Sequence, residues 1–599
     1  MNRCIYLSFI ITTALLSVIF SCARQAAPTG GPKDLTPPKI LKSNPSIGSL
    51  NFKGKKIVIS FNEFIAVDKM TEKFMISPPL VKKPNIIVKG KNLEIEFFEK
   101  LKDSTTYTLY FQDAVRDLNE GNPFVNFQFV FSTGNILDSL SVTGNIYYAS
   151  NLEVPENTLV LMHTNMADTA PLRLLPSYVS QVNYRGEFRI NNIKPGHYRL
   201  FALQEKNNNK KFDHSDENFA FLNNDIEINN EKNYIPEIVV KDTSKSKTAK
   251  KKAPEAPLID GEFKLYLFTA PKRNHYLTSS ERKSANLLKY TLSLPPDTIK
   301  FNFDIQDAAQ GSYFIEKNIT NDTIDVWLTD SLLYSKHQIN TIVDYPFTDS
   351  TSVTILKTDT IPMLFTPVRA TKATKAKEAQ TRYTFKTNIA GTGMAAGQPI
   401  IFMSETPFRS ADTTKIRFYK TDKAGKISVP YALAKDSSNS RRYILKAQIK
   451  EGTTYLLITD SASFRDIYSG VTDSTGIKFS VRTTDTYGKL TLNLSNVTGN
   501  ILIQLLVTKE KLISEKEIKK DGKLIFTLLD IEKYRLRAIN DLNGDRKWTT
   551  GDFNFKQQPE PVTYFPEEIV IKANWDSDET WKLDKWYQKD QKLKEKKEQ

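Results

Sequence analysis

The chain has 599 residues, 40% of them apolar, with 83 Lys+Arg against 68 Asp+Glu for a formal charge of +15. That length can bury about four domains on a rule of 100–200 residues each, and two cysteines, Cys4 and Cys22, exclude a fold stapled by several disulfides. The basic excess gathers at 245–252, 372–380 and 589–599, which read as solvated linkers and a tail and argue against nucleic-acid binding, with attraction to an anionic lipid surface as the milder alternative.

In chain order, Arg3 precedes the apolar run "IYLSFIITTALLSVIF" and then "SC". This is a secretory segment, too short and wrongly flanked for a mature membrane span. Ile19, Phe20, Ser21 and Cys22 place a branched apolar residue at −3, a small one at −1, and then cysteine. The pattern resembles a bacterial lipoprotein signal peptide. The resemblance implies a signal peptide over 1–21, lipid on Cys22, and attachment to a membrane through that lipid. An ordinary signal peptide with an incidental cysteine is the alternative. No later stretch has the ~18 apolar residues that a bilayer span needs. Residues 22–36, "CARQAAPTGGPKDLT", are Pro/Gly-rich and read as a lipidated tether.

Beyond the tether, helical periodicity is nearly absent. Short runs such as "KIVISF", "LEIEFF", "FQFVFS" and "LTLNLS" alternate with Pro, Gly, Asn and Asp. The fold class expected is all-β, a string of sandwiches. Residues 37–134 open with "TPPKILKSNPSIGSLNFKGKKIVISFNEFI" and close with "FQFVFSTG". They resemble bacterial Ig-like domains of the SbsA type, and the first 240 or so residues resemble Bacteroidetes lipoproteins of unknown activity. The likeness implies a fold rather than a reaction. In that setting Glu63, Asp113, Asp117 and Glu120 are turn and strand-edge residues, not catalytic acids. The remaining expectations are a sandwich at 138–241, a basic linker at 242–257, a sandwich at 258–368, an Ig-like domain at 376–484, a sandwich at 485–574 and a charged tail at 575–599. Within them, 397–425 echoes 55–77, each with a strand into Phe, an acid, another Phe and a second strand.

The clearest internal signal is a duplication. "GEFRINNIKPGHYRLFALQEKNNNKKFDHSDENFAF" (186–221) matches "GKLIFTLLDIEKYRLRAINDLNGDRKWTTGDFNF" (522–555), pairing Gly186 with Gly522 and Tyr198 with Tyr534. Both copies resemble carboxypeptidase-regulatory-like or transthyretin-like sandwiches. Each carries a polar loop. Asp541, Asn543, Asp545, Lys547, Thr549 and Asp552 occupy positions 1, 3, 5, 7, 9 and 12 of a calcium-loop frame, with Lys547 offering only its carbonyl. Glu205, Asn207, Asn209, Asp213 and Asp216 form the weaker counterpart. Position 6 is Arg546 rather than glycine, position 12 is short, and no helices flank the loop, departures that weigh against an EF-hand. Two readings stay open: a structural calcium ion, or an Asx-rich turn closed on its own backbone.

No G-x-S-x-G, H-E-x-x-H or P-loop motif occurs, and the five histidines lack metal-ligand spacing. The expected function is a non-catalytic, lipid-anchored scaffold of the cell envelope, at the outer membrane on its periplasmic or surface face. Its partner would be an envelope protein or a glycan, not nucleic acid. The alternatives are a carbohydrate-binding accessory lipoprotein using aromatics among Trp327, Trp548, Trp575, Trp581 and Trp586, and a hydrolase with an unrecognised site.

Overall fold

The computed structural model describes residues 34–589, apart from 215, 230–262, 297–299, 307, 367–382, 390, 392, 396 and 424. The signal peptide 1–21, Cys22, most of the tether, the basic linker 242–257, the cluster 372–380 and the last ten residues of the tail lie outside the described residues. Two compact units are present. One comprises Met1–Ile146, Val154–Asp213 and Phe219–Leu265, the other Tyr147–Glu153, His214–Asn218 and Tyr266–Gln599.

Among the described residues the architecture is all-β, interrupted by one-turn helices at Met70–Lys73, Ala170–Arg173 and Ser331–Tyr334. The strands form because the sequence alternates. "KIVISF" at Lys56–Phe61 buries every second residue, and Ile57, Ile59 and Phe61 enter a core with Phe111, Phe129 and Phe131.

The first sandwich pairs Ile40–Asn44, Lys56–Phe61, Asn92–Glu96 and Asn85–Lys89 in that spatial order. Its second sheet runs Met75–Ser77, Thr106–Gln112, Phe127–Ser132. A short ribbon, Ile65–Val67 with Val115–Asp117, closes one end. Strand Thr106–Gln112 is buried on both faces. Its outer face meets the second sandwich of the same unit, where Asn192 Nδ2 donates to Thr108 Oγ1 at 2.8 Å and Gln112 Nε2 to Gln181 Oε1 at 2.7 Å.

The sandwich after residue 382 repeats every strand of this topology in the same order and adds two, Gly393–Met394 and Gly425–Ser428, at the edges of its second sheet. Phe385–Thr387, Ile400–Ser404, Arg442–Ala447 and Tyr431–Lys435 form one sheet. Ile416–Asp422, Thr454–Thr459 and Thr475–Val481 run consecutively in the other, and Phe408–Ala411 pairs with Phe464–Asp466 as the end ribbon. The echo between 55–77 and 397–425 is therefore structural. The third sandwich has the same order too: Leu277–Ser284, Leu287–Leu292, Thr323–Leu328, Tyr313–Lys317, facing Asn302–Ile305, Gln338–Thr348, Thr354–Leu364. No end ribbon joins it among the described residues.

The second and fifth sandwiches share another topology. In the fifth, Lys511–Ile518, Asn500–Val507, Lys533–Asp541 and Val562–Tyr564 lie side by side, with Ile569–Val570 also on Lys533–Asp541. Gly522–Leu529, Gly488–Ser495 and Asp576–Lys582 form the facing sheet. In the second, Tyr178–Gln181, Leu159–His163, Gly196–Gln204 and Asn218–Phe221 take the first set of places, and Ile226–Ile228 pairs with Gly196–Gln204. Leu140–Tyr148 sits between Glu187–Ile193 and Phe263–Thr269, and unlike in the fifth the two sets join into one eight-stranded sheet because Asn218–Phe221 pairs with Phe263–Thr269.

Two expected boundaries are corrected by this pairing. The stretch from 575 is not all tail: Asp576–Lys582 pairs in parallel with Lys489–Ser495 and buries Trp581 in the core. Phe263–Thr269, expected to open the next domain, is the matching last strand of the second sandwich. Each module thus ends on a strand that sequence had cut off.

Candidate functional site

The repeated polar loop follows the same strand in both copies, Gly196–Gln204 and Lys533–Asp541. The two loops close by the same bonds. Asp541 Oδ2 accepts the Arg546 N–H at 3.1 Å, and Glu205 Oε1 accepts the Lys210 N–H. Asn543 Oδ1 takes the Asp545 N–H at 2.9 Å, and Asn207 Oδ1 the Asn209 N–H at 3.3 Å. Asp545 Oδ1 takes the Lys547 N–H at 2.8 Å, and Asn209 Oδ1 the Lys211 N–H at 2.7 Å. Asn543 Nδ2 reaches Thr549 Oγ1 at 2.7 Å, and Asn207 Nδ2 reaches Asp213 Oδ1 at 3.0 Å. Left-handed backbone recurs at the same positions: Gly544 (φ 75°) and Arg546 (φ 61°), Asn208 (φ 61°) and Lys210 (φ 58°). Successive Asx turns curl the chain through these angles, and small polar residues tolerate them best. Arg546 tolerates it while its guanidinium pairs with Glu517 at 3.0 Å.

Around this shared frame the copies differ. Asp541 is buried and also accepts the Gly544 N–H at 2.8 Å. Asp552 is buried too. It accepts the Asn554 N–H at 2.9 Å and is bonded by Arg273, whose guanidinium lies 4.3 Å from the Phe555 ring. Phe212 stacks on Phe219 at 4.2 Å, where the other copy has Trp548 donating to the Glu560 carbonyl at 2.9 Å. Asp216, the last acid of the first loop, also lies among the described residues.

Glu560 is the functional residue that the sequence reading missed. It is buried and accepts N–H groups from Leu542 (2.8 Å), Asn543 (3.4 Å) and Thr549 (2.9 Å). Burial pushes its pKa above the ordinary glutamate value, partly opposed by these amides, with Asp541 adding to the rise. It lies eight residues beyond the frame, so no motif marks it.

The same use of carboxylates recurs elsewhere. Buried Asp117 accepts the N–H groups of Glu120 (2.6 Å), Gly121 (2.8 Å) and Asn122 (2.9 Å). Burial alone would raise its pKa, but the amides hold it below the usual aspartate value. Asp466, at the matching point of the fourth sandwich, accepts from Tyr468 (3.0 Å) and Gly470 (2.7 Å). Asp113 bridges Lys73 and Arg116 at 2.9 Å each. Among the described residues, no group of three or more His, Cys, Asp and Glu converges as a metal cluster.

His163 is buried against Phe201, and burial together with Arg199 lowers its pKa to about 4, so it is neutral in ordinary buffers. The tryptophans do not form a shared exposed face: Trp327 and Trp581 are buried, and Trp575 is exposed. Among the described residues no helix is long and apolar enough to cross a membrane.

Residues 34–133, the first sandwich, match the family described as "Bacterial Ig-like domain". No curated protein matches the chain. Solved structures overlap it loosely. The S-layer protein rSbsC(31-844) shares 11% identity at a TM-score of 0.12, covering 84% of this chain and 65% of that one. Alpha-2-macroglobulin domains MG0-NIE-MG1 from Escherichia coli share 12% at 0.19, covering 50% and 97%. The human Desmocollin-1 ectodomain shares 8% at 0.14, covering 86% and 95%. The chain therefore spans 65% of the length of that S-layer protein, and overlaps at such scores carry no functional argument.

Proposed function

We propose that this chain is a non-catalytic, lipid-anchored protein of the cell envelope, held at the outer membrane through Cys22, whose sandwiches serve as a structural or interaction scaffold. The observation that carries this reading is the use made of its buried acids. Asp117, Asp466 and Asp541 each bind main-chain N–H groups of their own turns, and Glu560 binds those of the 541–552 loop beside it. Carboxylates committed in this way stiffen loops and are not poised as acids, bases or nucleophiles. The match of residues 34–133 to an Ig-like domain supports the same view. The carbohydrate-binding alternative is less favoured, because two of the five tryptophans it would draw on, Trp327 and Trp581, are buried.

Fractionation of cells carrying Cys22→Ala tests the anchor. Release into the soluble fraction is expected, and unchanged membrane retention would sink it. Mild crosslinking in the native envelope, followed by co-purification, identifies the partner as a protein or a glycan.

The loop at 541–552 is the stronger candidate for a structural calcium ion, with oxygens from Asp541, Asn543, Asp545, the Lys547 carbonyl, Thr549 and Asp552. The loop at 205–216, through Glu205, Asn207, Asn209, Asp213 and Asp216, is the weaker one. In either place an ion would stiffen a turn that already has Asx bonds. Calcium titration of the melting temperature tests this, as set out below.

A further inference from the structure

The first sandwich receives the chain at one end and passes it on at the other. At the entry end, Asn122 Nδ2 donates to the carbonyls of Asp34 (3.0 Å) and Thr36 (3.4 Å). The Lys39 N–H reaches Asn62 Oδ1 at 2.6 Å. At the opposite end of strands Thr106–Gln112 and Phe127–Ser132, the chain leaves past Thr133 and Gly134, whose neighbours are Thr105 and Ser132.

The entry end gathers three turns, and while Ile65 and Val115 are buried there, three other apolar side chains stay in solvent. The Leu118 N–H donates to the Phe64 carbonyl at 2.9 Å, and the Ile65 N–H to the Gly90 carbonyl at 3.2 Å. Leu35, Phe64 and Leu118 are 76%, 54% and 58% exposed. Lys91 lies 5.4 Å from the Phe64 ring and donates to the Asn62 carbonyl, and Lys39 is exposed beside it. Asp34, Glu63 and Glu120 stand in the same turns, so the end is apolar and mixed in charge rather than basic. Exposed apolar side chains beside lysines such as Lys91 suit a lipid interface, where ammonium groups stay with the headgroups while the hydrocarbon enters.

We propose that this end of the first sandwich rests in the interface of the bilayer that holds the Cys22 lipid, with Leu35, Phe64 and Leu118 inserted. The proposal rests on the lipid-anchor reading. Only eleven residues, 23–33, separate Cys22 from the first described residue, a reach over twelve steps of at most about 43 Å at ~3.6 Å per residue. The entry end is therefore held within that distance of the lipid.

The test supplies the anchor artificially, so its failure is separable from failure of the lipid reading. The chain from residue 23 onward, with a polyhistidine tag in place of Cys22, is bound to vesicles containing a nickel-chelating lipid. It has no other thiol, because Cys4 and Cys22 are the only cysteines in the sequence. An environment-sensitive fluorophore is placed at Phe64→Cys, at Leu118→Cys, or at the control Ile319→Cys, a site 98% exposed. Blue-shifted emission on vesicles is expected at 64 and 118 but not at 319, equally on phosphatidylcholine and on mixtures with anionic phosphatidylglycerol. With the label at Leu35→Cys, adding Phe64→Asp and Leu118→Asp should abolish the shift while the unfolding profile stays that of the parent. Water-like emission at both 64 and 118 would overturn the proposal, and so would a shift that requires anionic lipid.

Discussion

The third and fourth sandwiches share a strand order and tie off its two opposite ends by opposite chemistry. In the fourth, a carboxylate does the work: Asp466 binds the amides of Tyr468 and Gly470 and receives Thr406 Oγ1 at 3.2 Å. Asp117 does the same in the first sandwich. In the third, a buried guanidinium ties off the other end, where Gln338–Thr348 begins and Thr354–Leu364 finishes. Arg282 donates to the carbonyls of Ala285 (2.8 Å), Tyr334 (2.9 Å) and Lys336 (2.9 Å), with longer contacts to His337 and Met363. The one topology leaves unpaired main-chain groups at its margins. Acids satisfy orphan N–H groups, a base satisfies orphan carbonyls, and the pairing order does not depend on which is used.

The contrast is most exposed to failure at Arg282. Arg282→Met should cost about 3 kcal/mol or more, because several buried carbonyls lose their donor at once. Domain-resolved hydrogen exchange should show the loss confined to 275–365, and an effect below about 1 kcal/mol would mean that those carbonyls find other partners. Asp117→Ala and Asp466→Ala should each cost about 2 kcal/mol in their own sandwiches, with Asn restoring part of it. A carboxylate that mattered only through its charge would instead be rescued by Glu.

Smaller still is a difference of sign with pH. The Asp117 pKa is held below the aspartate value of 3.8, so its contribution is present above that pH and is lost as pH falls further. Glu560 is shifted the other way, above 4.5. The folded state then holds a proton that the unfolded chain has released, so stability of the fifth sandwich falls as pH rises through the window just above 4.5. The wild-type melting temperature minus that of Glu560→Ala should carry this slope, and a flat difference would refute it. The smallest expected effect is a rise in melting temperature with calcium, removed by Asp541→Ala with Asp545→Ala. No response in the wild type would leave the Asx turns as the whole account.

Much of this was readable from residues. Alternation in "KIVISF" and "FQFVFS" announced the strands, and the paired loops announced the duplication because short Asx turns depend on neighbours in sequence. The closing strands were hidden. In "DSDETWK" (576–582) only Trp581 is fully buried, since an edge strand with one face in water carries half its residues as charges. Arg282 and Glu560 were invisible for another reason. Their partners lie up to 81 and 18 residues away, and nothing local records such a distance.

That late strand also sets an order of events. Lys489–Ser495 lies between Gly522–Leu529 and Asp576–Lys582 in its sheet. A chain made from its N-terminus cannot complete this sheet until residue 582 has left the ribosome. The second sandwich waits in the same way for Phe263–Thr269. Both modules must hold unfinished edges while the chain lengthens, and pairing across such separations is slow. The fourth sandwich carries the same burden, because its parallel pair of Gly393 with Ser480 spans as much chain as that of Lys489 with Asp576.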